Sequence, residues 1–390
     1  MMTAFHDVPR FPLGFGCASR SCGIKEHGRD LSLFVSDVDA AAAAIFTRNR
    51  FPGAPIIVGR ETIRGGVLRA IVVNSRVSNV ATGEEGVARA RRMAAAAAAE
   101  VGTTADRVLV SSTGVIGVPL PIDRIETGVR GMSAQLVDDP LVGAEGIMTT
   151  DTYPKAISTS VGAATLTIVA KGSGMIAPDM ATMLAYIFTD ARLDARDLDR
   201  RLRDAAAVSF NMLSVDTDMS TSDTCAIMAN GQAGDVDGAT FGRALEAACI
   251  RMTEMLARDG EGATKLIRVT VGGAVTTEDA RVMARCVVDS PLIKTMVHGA
   301  DPNVGRILMA VGKCLAVDVS PEAVAASING MPVVAGGLRA GFDESRVRRE
   351  LAGDTVDLHI DLGAGGAGAT AYGCDLTEGY ISENAAYYSS

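Results

Sequence analysis

The chain has 390 residues, of which 48% are hydrophobic but only 4% aromatic, with no tryptophan. Its 37 basic and 46 acidic residues give a net charge of −9 and form no basic stripe, which excludes a typical nucleic-acid-binding protein. Seven cysteines without a CxxC pair indicate a reduced, cytoplasmic chain without structural zinc. No apolar run reaches the ~18 residues that a membrane span needs, and "MMTAFHDVPRFPLGFGCASR" lacks the pattern of a signal peptide.

The first half of the sequence predicts short strands around one long helix. Residues 29–51 predict two short strands joined by an Asp-rich turn. Thr82 and Glu85 predict a capping box at the start of an Ala-rich helix that continues through Val101. Residues 107–117 predict a strand that ends in a loop of small residues.

The second half predicts further strands and helices in mixed order. Asp194 is the expected N-cap of a helix, and the Asn-Gly pair of "SINGMPVV" (327–334) predicts a β-hairpin. The other predicted strands are 164–172, 182–190, 224–231, 265–275, 355–361 and 367–373, and the other helices begin at Thr240 and span 277–288 and 343–351. Strands occur in adjacent pairs as often as they alternate with helices. We therefore expect an α/β fold of the α+β layered-sandwich type rather than a doubly wound parallel sheet.

The segment "KGSGMIAPDMATMLAYI" (171–187) places a lysine, two glycines and a proline before Thr182, at the head of an apolar run. The simplest interpretation is a strand, a turn and a second strand. A phosphate-binding loop fits poorly, since the third glycine is missing and the lysine precedes the glycines. Among the four histidines only His298, in "VHGADPNVGR", is a candidate for a catalytic triad, and no GxSxG motif accompanies it.

A further interpretation makes Thr182 an N-terminal nucleophile. A threonine hydroxyl can be activated by the α-amino group of its own residue when that residue begins a chain. An α-amino pKa of about 8 leaves the amine partly neutral at pH 7, so no histidine is required. An internal threonine reaches this state only after cleavage of the Ala181–Thr182 bond, and a small preceding residue in a Gly/Pro-containing loop suits that reaction.

The segment "KGSGMIAPDMATML" resembles the self-processing site of the ornithine acetyltransferase (glutamate N-acetyltransferase) family. Nine further blocks resemble this family in the same order: "GIKEHGRDLSLFVSD", "FTRNRFPGAP", "SSTGVIG", "IMTTDTYPK", "STSDT", "DGEGATKLI", "SPLIKTMVHGADPNVGR", "YGCDLTEGY" and "ENAAYYSS". The resemblance implies a sandwich shared with self-cleaving, DmpA-like aminopeptidases. It also implies cleavage into an α chain (1–181) and a β chain (182–390) that stay in one intertwined unit and assemble as α2β2.

The resemblance also implies roles for individual residues. Thr182 matches the nucleophile, and Thr113 with Gly114 matches the oxyanion hole. Positions that match substrate-binding residues are Thr149, Lys171, Thr182, Glu261, Asn384 and Ser389. The implied reaction is ping-pong: N2-acetylornithine acylates the threonine, and glutamate then takes the acetyl group. Some family members also accept acetyl-CoA as donor, and the resemblance implies no metal or cofactor.

Several positions depart from the commonest family pattern, among them Asp179, Val304 and the segment 215–224. They leave open a secondary-metabolism paralogue with another acyl donor or acceptor in place of an enzyme of arginine biosynthesis. The sequence is also compatible with a hydrolase or aminopeptidase of the same fold, and with an uncleaved binding protein. Acetate release without an acceptor would favour the hydrolase, and an intact chain of 40.3 kDa would favour the uncleaved protein.

Overall fold

The computed structural model describes residues 3–176 and 183–385, which divide into two units with one sheet each. The first unit is formed by the described parts of Met1–Gly172, Asp179–Ala207 and Asp218–Met252, and the second by those of Ser173–Pro178, Val208–Thr217 and Thr253–Ser390. In these described ranges no helix is both long enough and apolar enough to cross a membrane.

The described residues form fifteen strands and eleven α-helices. The strands are β1 (Phe15–Arg20), β2 (Leu31–Phe46), β3 (Val67–Asn74), β4 (Val108–Ser112), β5 (Lys155–Val161), β6 (Ala164–Lys171), β7 (Leu184–Arg192), β8 (Leu213–Ser214), β9 (Thr224–Asp235), β10 (Leu266–Ala274), β11 (Ala325–Ile328), β12 (Met331–Ala335), β13 (Leu338–Arg339), β14 (Thr355–Asp361) and β15 (Ala367–Cys374). The helices are α1 (Ala54–Thr62), α2 (Gly83–Val101), α3 (Ile122–Val129), α4 (Pro140–Ile147), α5 (Ala195–Val208), α6 (Gly238–Arg258), α7 (Thr277–Val288), α8 (Pro291–His298), α9 (Val304–Gly312), α10 (Glu344–Leu351) and α11 (Glu378–Asn384).

The sheet of the first unit has the strand order β4-β3-β2-β9-β7-β6-β5, with β1 paired to β2. Strand β7 is therefore internal. It runs antiparallel to β6 and parallel to β9, and its first residue, Leu184, pairs with Lys171 on one side and Thr224 on the other. Because an internal strand bonds on both sides, the start of β7 is fixed relative to both neighbours.

Apolar side chains cover both faces of this sheet. Leu33 and Met93 of α2 belong to the cluster on one face, whereas Phe34, Tyr186 and Phe188 belong to the cluster on the other. This follows from the two-residue period of a strand, which sends neighbours such as Leu33 and Phe34 to opposite faces. The rings of Phe34 and Phe188 stack with centroids 5.4 Å apart. Each fully buried aromatic side chain of this kind stabilises the fold by roughly 1.5–3 kcal/mol.

Two local predictions for this unit are wrong. The Asp-rich turn expected within 29–51 is instead part of the single 16-residue strand β2, whose pairing with β3 shifts between Val35 and Ala40. A bulge accommodates the extra residues, and Asp37 and Asp39 lie exposed to solvent. The capping box at α2 is absent, since the Thr82 hydroxyl donates to Asn79 Oδ1 over 2.8 Å rather than capping the helix.

Other turn and cap predictions are confirmed. Asp194 Oδ1 accepts the backbone N–H of Asp197 over 2.9 Å at the start of α5. Asn329 and Gly330 join β11 to β12 with φ values of 46° and 76°, as a tight hairpin requires.

The sheet of the second unit has the order β13-β12-β11-β14-β10-β15-β8. Helix α7, which begins with a capping box formed by Thr276 and Asp279, packs against β10 and β15. Strand β14 alternates buried apolar residues with exposed polar ones, as expected for a sheet with a helix-covered face. Both sheets with their helices confirm the α/β layered fold expected from the sequence.

Candidate functional site

The loop after β4 carries Thr113 and Gly114, the residues expected to form an oxyanion hole. The Thr113 N–H donates to Asn74 O (3.1 Å), and the Val115 N–H donates to Arg76 O (2.9 Å). Gly114 has φ +124°, and a Cβ atom there would lie 2.2 Å from the Arg76 carbonyl carbon. Within the described residues, the Thr113 hydroxyl and the Gly114 N–H form no hydrogen bond. These two groups are therefore the donors that this dipeptide can offer to a substrate oxygen.

Backbone hydrogen bonds connect this loop to the segment that precedes β9. Residues 113–117 form backbone hydrogen bonds with residues 76–80. Within the latter segment residue 79 bonds to residue 54, and the neighbouring residue 53 bonds to residue 221. The bonds are Ser78 N–H to Val115 O (3.0 Å), Gly117 N–H to Val80 O (3.0 Å), Ala54 N–H to Asn79 O (3.0 Å) and Gly53 N–H to Thr221 O (2.9 Å). Short main-chain contacts thus fix the loop after β4 relative to the "STSDT" segment.

Asp151 joins two of the predicted substrate-binding positions, although no sequence pattern singled it out. Its Oδ2 accepts the N–H of Thr149 (3.0 Å). Its Oδ1 accepts the N–H of Gly172, which follows Lys171, and the ammonium of Lys155, both over 2.7 Å. The side chains of Asp151 and Lys155 are fully buried. The "TTDT" block contains this aspartate, but only the tertiary structure shows its three partners.

The buried position of Asp151 is matched by positive charge. Burial by itself would raise the pKa of the carboxyl. The charges of Lys171 and Lys155, together with the Gly172 N–H, outweigh that effect and lower its pKa to about 2. Asp151 is therefore ionised near neutral pH and holds Thr149 and the end of β6 in place.

Lys25 adds a further cation that no sequence motif indicated. Its ammonium donates to Arg29 O (3.0 Å) and Met148 O (2.8 Å). Burial lowers the pKa of Lys25. The positive charges of Lys171 and Arg76 lower it further, whereas the negative charges of Asp30 and Asp151 raise it. The ammonium groups of Lys25, Lys155 and Lys171 therefore lie near Asp151. This charge distribution suits a carboxylate or an oxyanion.

The proposed scissile residues Ala181 and Thr182 lie outside the described residues, as do Asp179 and Ser389. The residue that follows them, Met183, accepts the Thr224 N–H at its carbonyl over 3.2 Å. Since β7 begins at the next residue, the chain emerges from the Ala181–Thr182 junction directly into an internal strand beside Lys171.

In the second unit, Glu261 and Asn384 lie together. Asn384 Nδ2 donates to Glu261 Oε2 over 2.7 Å, and the Glu261 N–H donates to Ser173 O over 3.1 Å. The carboxylate packs so closely on Gly174 that a Cβ atom there would lie 2.2 Å from it. Glu261 is only 8% exposed, so its charge is partly shielded from solvent. The structure therefore brings these two predicted residues together beside Ser173 and Gly174.

His298 lies beside two carboxylates of the second unit. Its Nδ1 lies 3.1 Å from Asp375 Oδ2, and its Nε2 lies 3.6 Å from Glu378 Oε2. Asp375 also accepts the hydroxyl and N–H of Thr264, so it anchors the loop that precedes β10. Among the described residues no serine or cysteine bonds to the imidazole, which leaves a triad at His298 without its attacking group. Nor do these residues include a His, Cys, Asp and Glu cluster that could hold a metal ion.

Comparisons with known proteins identify the family of this chain. The sequence profile described as the ArgJ family matches residues 16–389. The chain is 42% identical over 379 residues to the arginine biosynthesis bifunctional protein ArgJ of Rhodococcoides fascians, covering 96% of this chain and 94% of that protein. It is also 42% identical over 387 residues to glutamate N-acetyltransferase Oat2 of Streptomyces clavuligerus, covering 97% and 98%. The crystal structure of the arginine biosynthesis bifunctional protein argJ of Bacillus halodurans is 37% identical, with a TM-score of 0.51, over 53% of this chain and 100% of that chain.

Proposed function

The chain belongs to the ArgJ family, and from that premise we propose that it transfers an acetyl group from N2-acetylornithine to glutamate. The observation that carries this proposal is 42% identity, over 97% of this chain, to a protein named glutamate N-acetyltransferase. The proposed enzyme is a cytoplasmic acyltransferase of arginine biosynthesis that uses no metal or cofactor and assembles as α2β2.

The first proposed step is cleavage between Ala181 and Thr182. The Thr182 hydroxyl attacks the Ala181 carbonyl, the peptide bond breaks, and water hydrolyses the resulting ester. The second chain would then have 390 − 181 = 209 residues, or about 54% of the whole. The solved Bacillus halodurans chain is matched over its full length by 53% of this chain, a share that supports a division of this size.

In the second proposed step the threonine is acylated. The α-amino group of Thr182 takes the proton of its own hydroxyl, which attacks the acetyl carbonyl of N2-acetylornithine. The Thr113 hydroxyl and the Gly114 N–H would donate to the oxyanion, and each such donor is worth about 10²–10³ in rate. The tetrahedral intermediate collapses with release of ornithine, and glutamate then takes the acetyl group by the reverse sequence.

Glu261, with Asn384 fixing its Oε2 oxygen, would bind the substrate's ammonium group, since a cation in a shielded site needs a carboxylate partner. Lys171 is a further proposed binding residue and adds positive charge beside Lys25 in the first unit. Thr149 and Ser389 complete the proposed set of binding residues.

Intact-mass measurement of the purified protein tests this function. We expect two chains separated at the 181–182 bond, addition of one acetyl group to the chain that begins with Thr182 after incubation with N2-acetylornithine, and its removal by glutamate. Thr182→Ala should remain a single chain of 40.3 kDa without turnover, whereas Thr182→Ser should still cleave. Incubation with acetyl-CoA as the only acyl donor tests whether the enzyme also accepts an acetyl group from this compound.

Three results would contradict parts of this proposal. Full activity of Thr182→Ala would reject the nucleophile. Acetate release at the same rate without glutamate would identify a hydrolase. Discharge of the acetyl-enzyme by another amino acid in preference to glutamate would identify a paralogue with a different acceptor.

A further inference from the structure

Arg76 is a half-buried arginine that none of the steps above uses. It follows β3, in the segment that bonds to the loop after β4. Its φ is 83°, in the left-handed region that a residue with a side chain rarely adopts. Backbone hydrogen bonds hold this conformation, since the Ser75 N–H donates to Asp30 O (2.9 Å) and Arg76 O accepts the Val115 N–H (2.9 Å). The fold therefore keeps residue 76 at a fixed place beside the loop.

The guanidinium of Arg76 forms neither a hydrogen bond nor an ion pair with any described residue. Its five N–H groups can nevertheless bind both oxygens of a carboxylate at once. More exposed arginines of the same unit, Arg91 and Arg92, do pair with carboxylates of the chain. A half-buried cation without a counter-ion is unfavourable. Arg76 is thus suited to an anion that the described part of the chain does not provide.

Lys25 lies near Arg76 and has an N–H to spare. Its ammonium donates to two main-chain carbonyls, Arg29 O (3.0 Å) and Met148 O (2.8 Å), so one of its three N–H groups has no partner within residues 3–176 and 183–385. Burial lowers the pKa of Lys25 and the positive charge of Arg76 lowers it further, so the two cations are close enough to repel. An anion bound by both would relieve this repulsion.

The position of Arg76 relative to Gly114 indicates which anion this is. A Cβ atom on Gly114 would lie 2.6 Å from Cα of Arg76, so the Arg76 side chain starts directly beside the proposed oxyanion hole. In an N-acyl amino acid the α-carboxylate is only two bonds from the amide nitrogen. It therefore lies close to the acyl carbonyl that this hole would bind, within the span of an arginine side chain.

We propose that Arg76, with Lys25 beside it, binds the α-carboxylate of the N-acyl amino acid and that of the amino acid which accepts the acyl group. The guanidinium donates two parallel N–H bonds to the two carboxylate oxygens. This inference rests on the proposed function, because it names the residue that recognises both substrates as amino acids. Since donor and acceptor share this carboxylate, one residue serves both half-reactions.

Arg76→Gln tests the inference, because glutamine meets the same backbone constraint but carries no charge. We expect KM for N2-acetylornithine and for glutamate to rise by the same factor of about 10–100, the effect of losing a charge-assisted contact. With N-acetylputrescine, which is N2-acetylornithine without its α-carboxylate, wild type and variant should be equal. Arg76→Lys keeps the charge but not the planar fork and should recover part of the loss. The thermal midpoint should not fall, since Arg76 has no described partner to lose.

Arg64→Gln is the matched control, since it removes one exposed positive charge from the same unit. Arg64 precedes β3 and Arg76 follows it, so the strand separates them by roughly 25 Å. This variant should behave as wild type with all three compounds. Wild-type kinetics in Arg76→Gln would overturn the inference, and so would an equal loss with N2-acetylornithine and N-acetylputrescine. A rise of KM for glutamate alone would also contradict it, since that assigns Arg76 to the side-chain carboxylate.

Calorimetric titration with N-acetylglycine separates this inference from the proposed function, because binding needs no turnover. Wild type should bind this carboxylate about tenfold more tightly than Arg76→Gln does. Equal binding, or no binding by wild type, would overturn the inference even if acetyl transfer is observed. Weaker binding by Arg76→Gln in a protein that transfers no acetyl group would support the carboxylate site and reject only the proposed function.

Discussion

Asn384 donates a 2.7 Å hydrogen bond to Oε2 of Glu261, although the two residues are 123 positions apart in the chain. The same carboxylate lies against Gly174, where no side chain fits. Glu261 thus contacts both a residue of α11 and a glycine of the "KGSG" segment. Its position depends on the absence of a side chain at residue 174.

Gly174→Ala should displace the Glu261 carboxylate. The added methyl group would lie 2.2 Å from it, and no positive φ complicates the substitution. Loss of a charge-assisted contact to the substrate ammonium should raise KM for the amino-acid substrates about tenfold. Steady-state kinetics with N2-acetylornithine and glutamate measure this increase in KM. Gly341→Ala, whose methyl group would meet no atom within 4 Å, is the control and should behave as wild type.

Asn384→Asp and Asn384→Ala should differ in a defined order. Alanine removes one donor to Glu261, whereas aspartate places a second carboxylate within hydrogen-bond distance of the first. Two adjacent carboxylates repel and raise the pKa of one of them, which weakens their hold on the substrate's ammonium group. The KM increase should therefore be larger for aspartate than for alanine. Equal KM values for both variants and wild type would show that Asn384 does not contribute to substrate binding.

Gly114→Ala should disable the proposed oxyanion hole in the loop after β4. A Cβ atom at this position would lie 2.2 Å from the backbone of Arg76, so the loop must move. We expect kcat to fall about 10²–10³-fold with a smaller change in KM, as for loss of one oxyanion donor. Gly117→Ala in the same loop is the control, because Gly117 also has a positive φ (+81°) but open space at Cβ. An equal loss of kcat in both variants would point to backbone strain alone.

Asp151→Asn should destabilise the first unit by removing the carboxylate that pairs with the buried ammonium of Lys155. Breaking a buried ion pair from one side typically costs about 3–5 kcal/mol. Asp151→Asn with Lys155→Met removes both charges and should recover much of that loss. Thermal midpoints of wild type, the two single variants and the double variant form the required cycle. Additive losses in the double variant would mean that the two charges do not interact.

The same carboxyl predicts an acid limit to stability. Its pKa falls from 3.8 to about 2 on folding, so the ionised form stabilises the fold fully above about pH 4. That contribution, on the order of 2 kcal/mol, should be lost as the pH falls from about 4 to 2. The thermal midpoint of Asp151→Asn should therefore depend less steeply on pH in this range than that of wild type. If the thermal midpoints of wild type and variant depend equally on pH, other groups are responsible for acid unfolding.

Local patterns predicted the elements where one short segment carries the whole signal. The Asn329–Gly330 hairpin and the Asp194 cap depend on neighbouring residues and are confirmed. The Asp-rich part of β2 resembles a turn in its composition, whereas pairing with other strands keeps it extended. At Thr82, a side chain of the preceding loop competes for the hydroxyl on which a capping box relies.

By itself the sequence determined the family and the α/β layered class, because their signals are contiguous motifs that need no knowledge of distant partners. It also singled out Thr182 as the proposed nucleophile from its immediate neighbours. Only the tertiary structure decided which groups the buried carboxyl of Asp151 meets, namely the Lys155 ammonium and the Gly172 N–H. The energy of a buried charge is set by the atoms within a few ångströms, and folding brings those atoms from separate strands and loops.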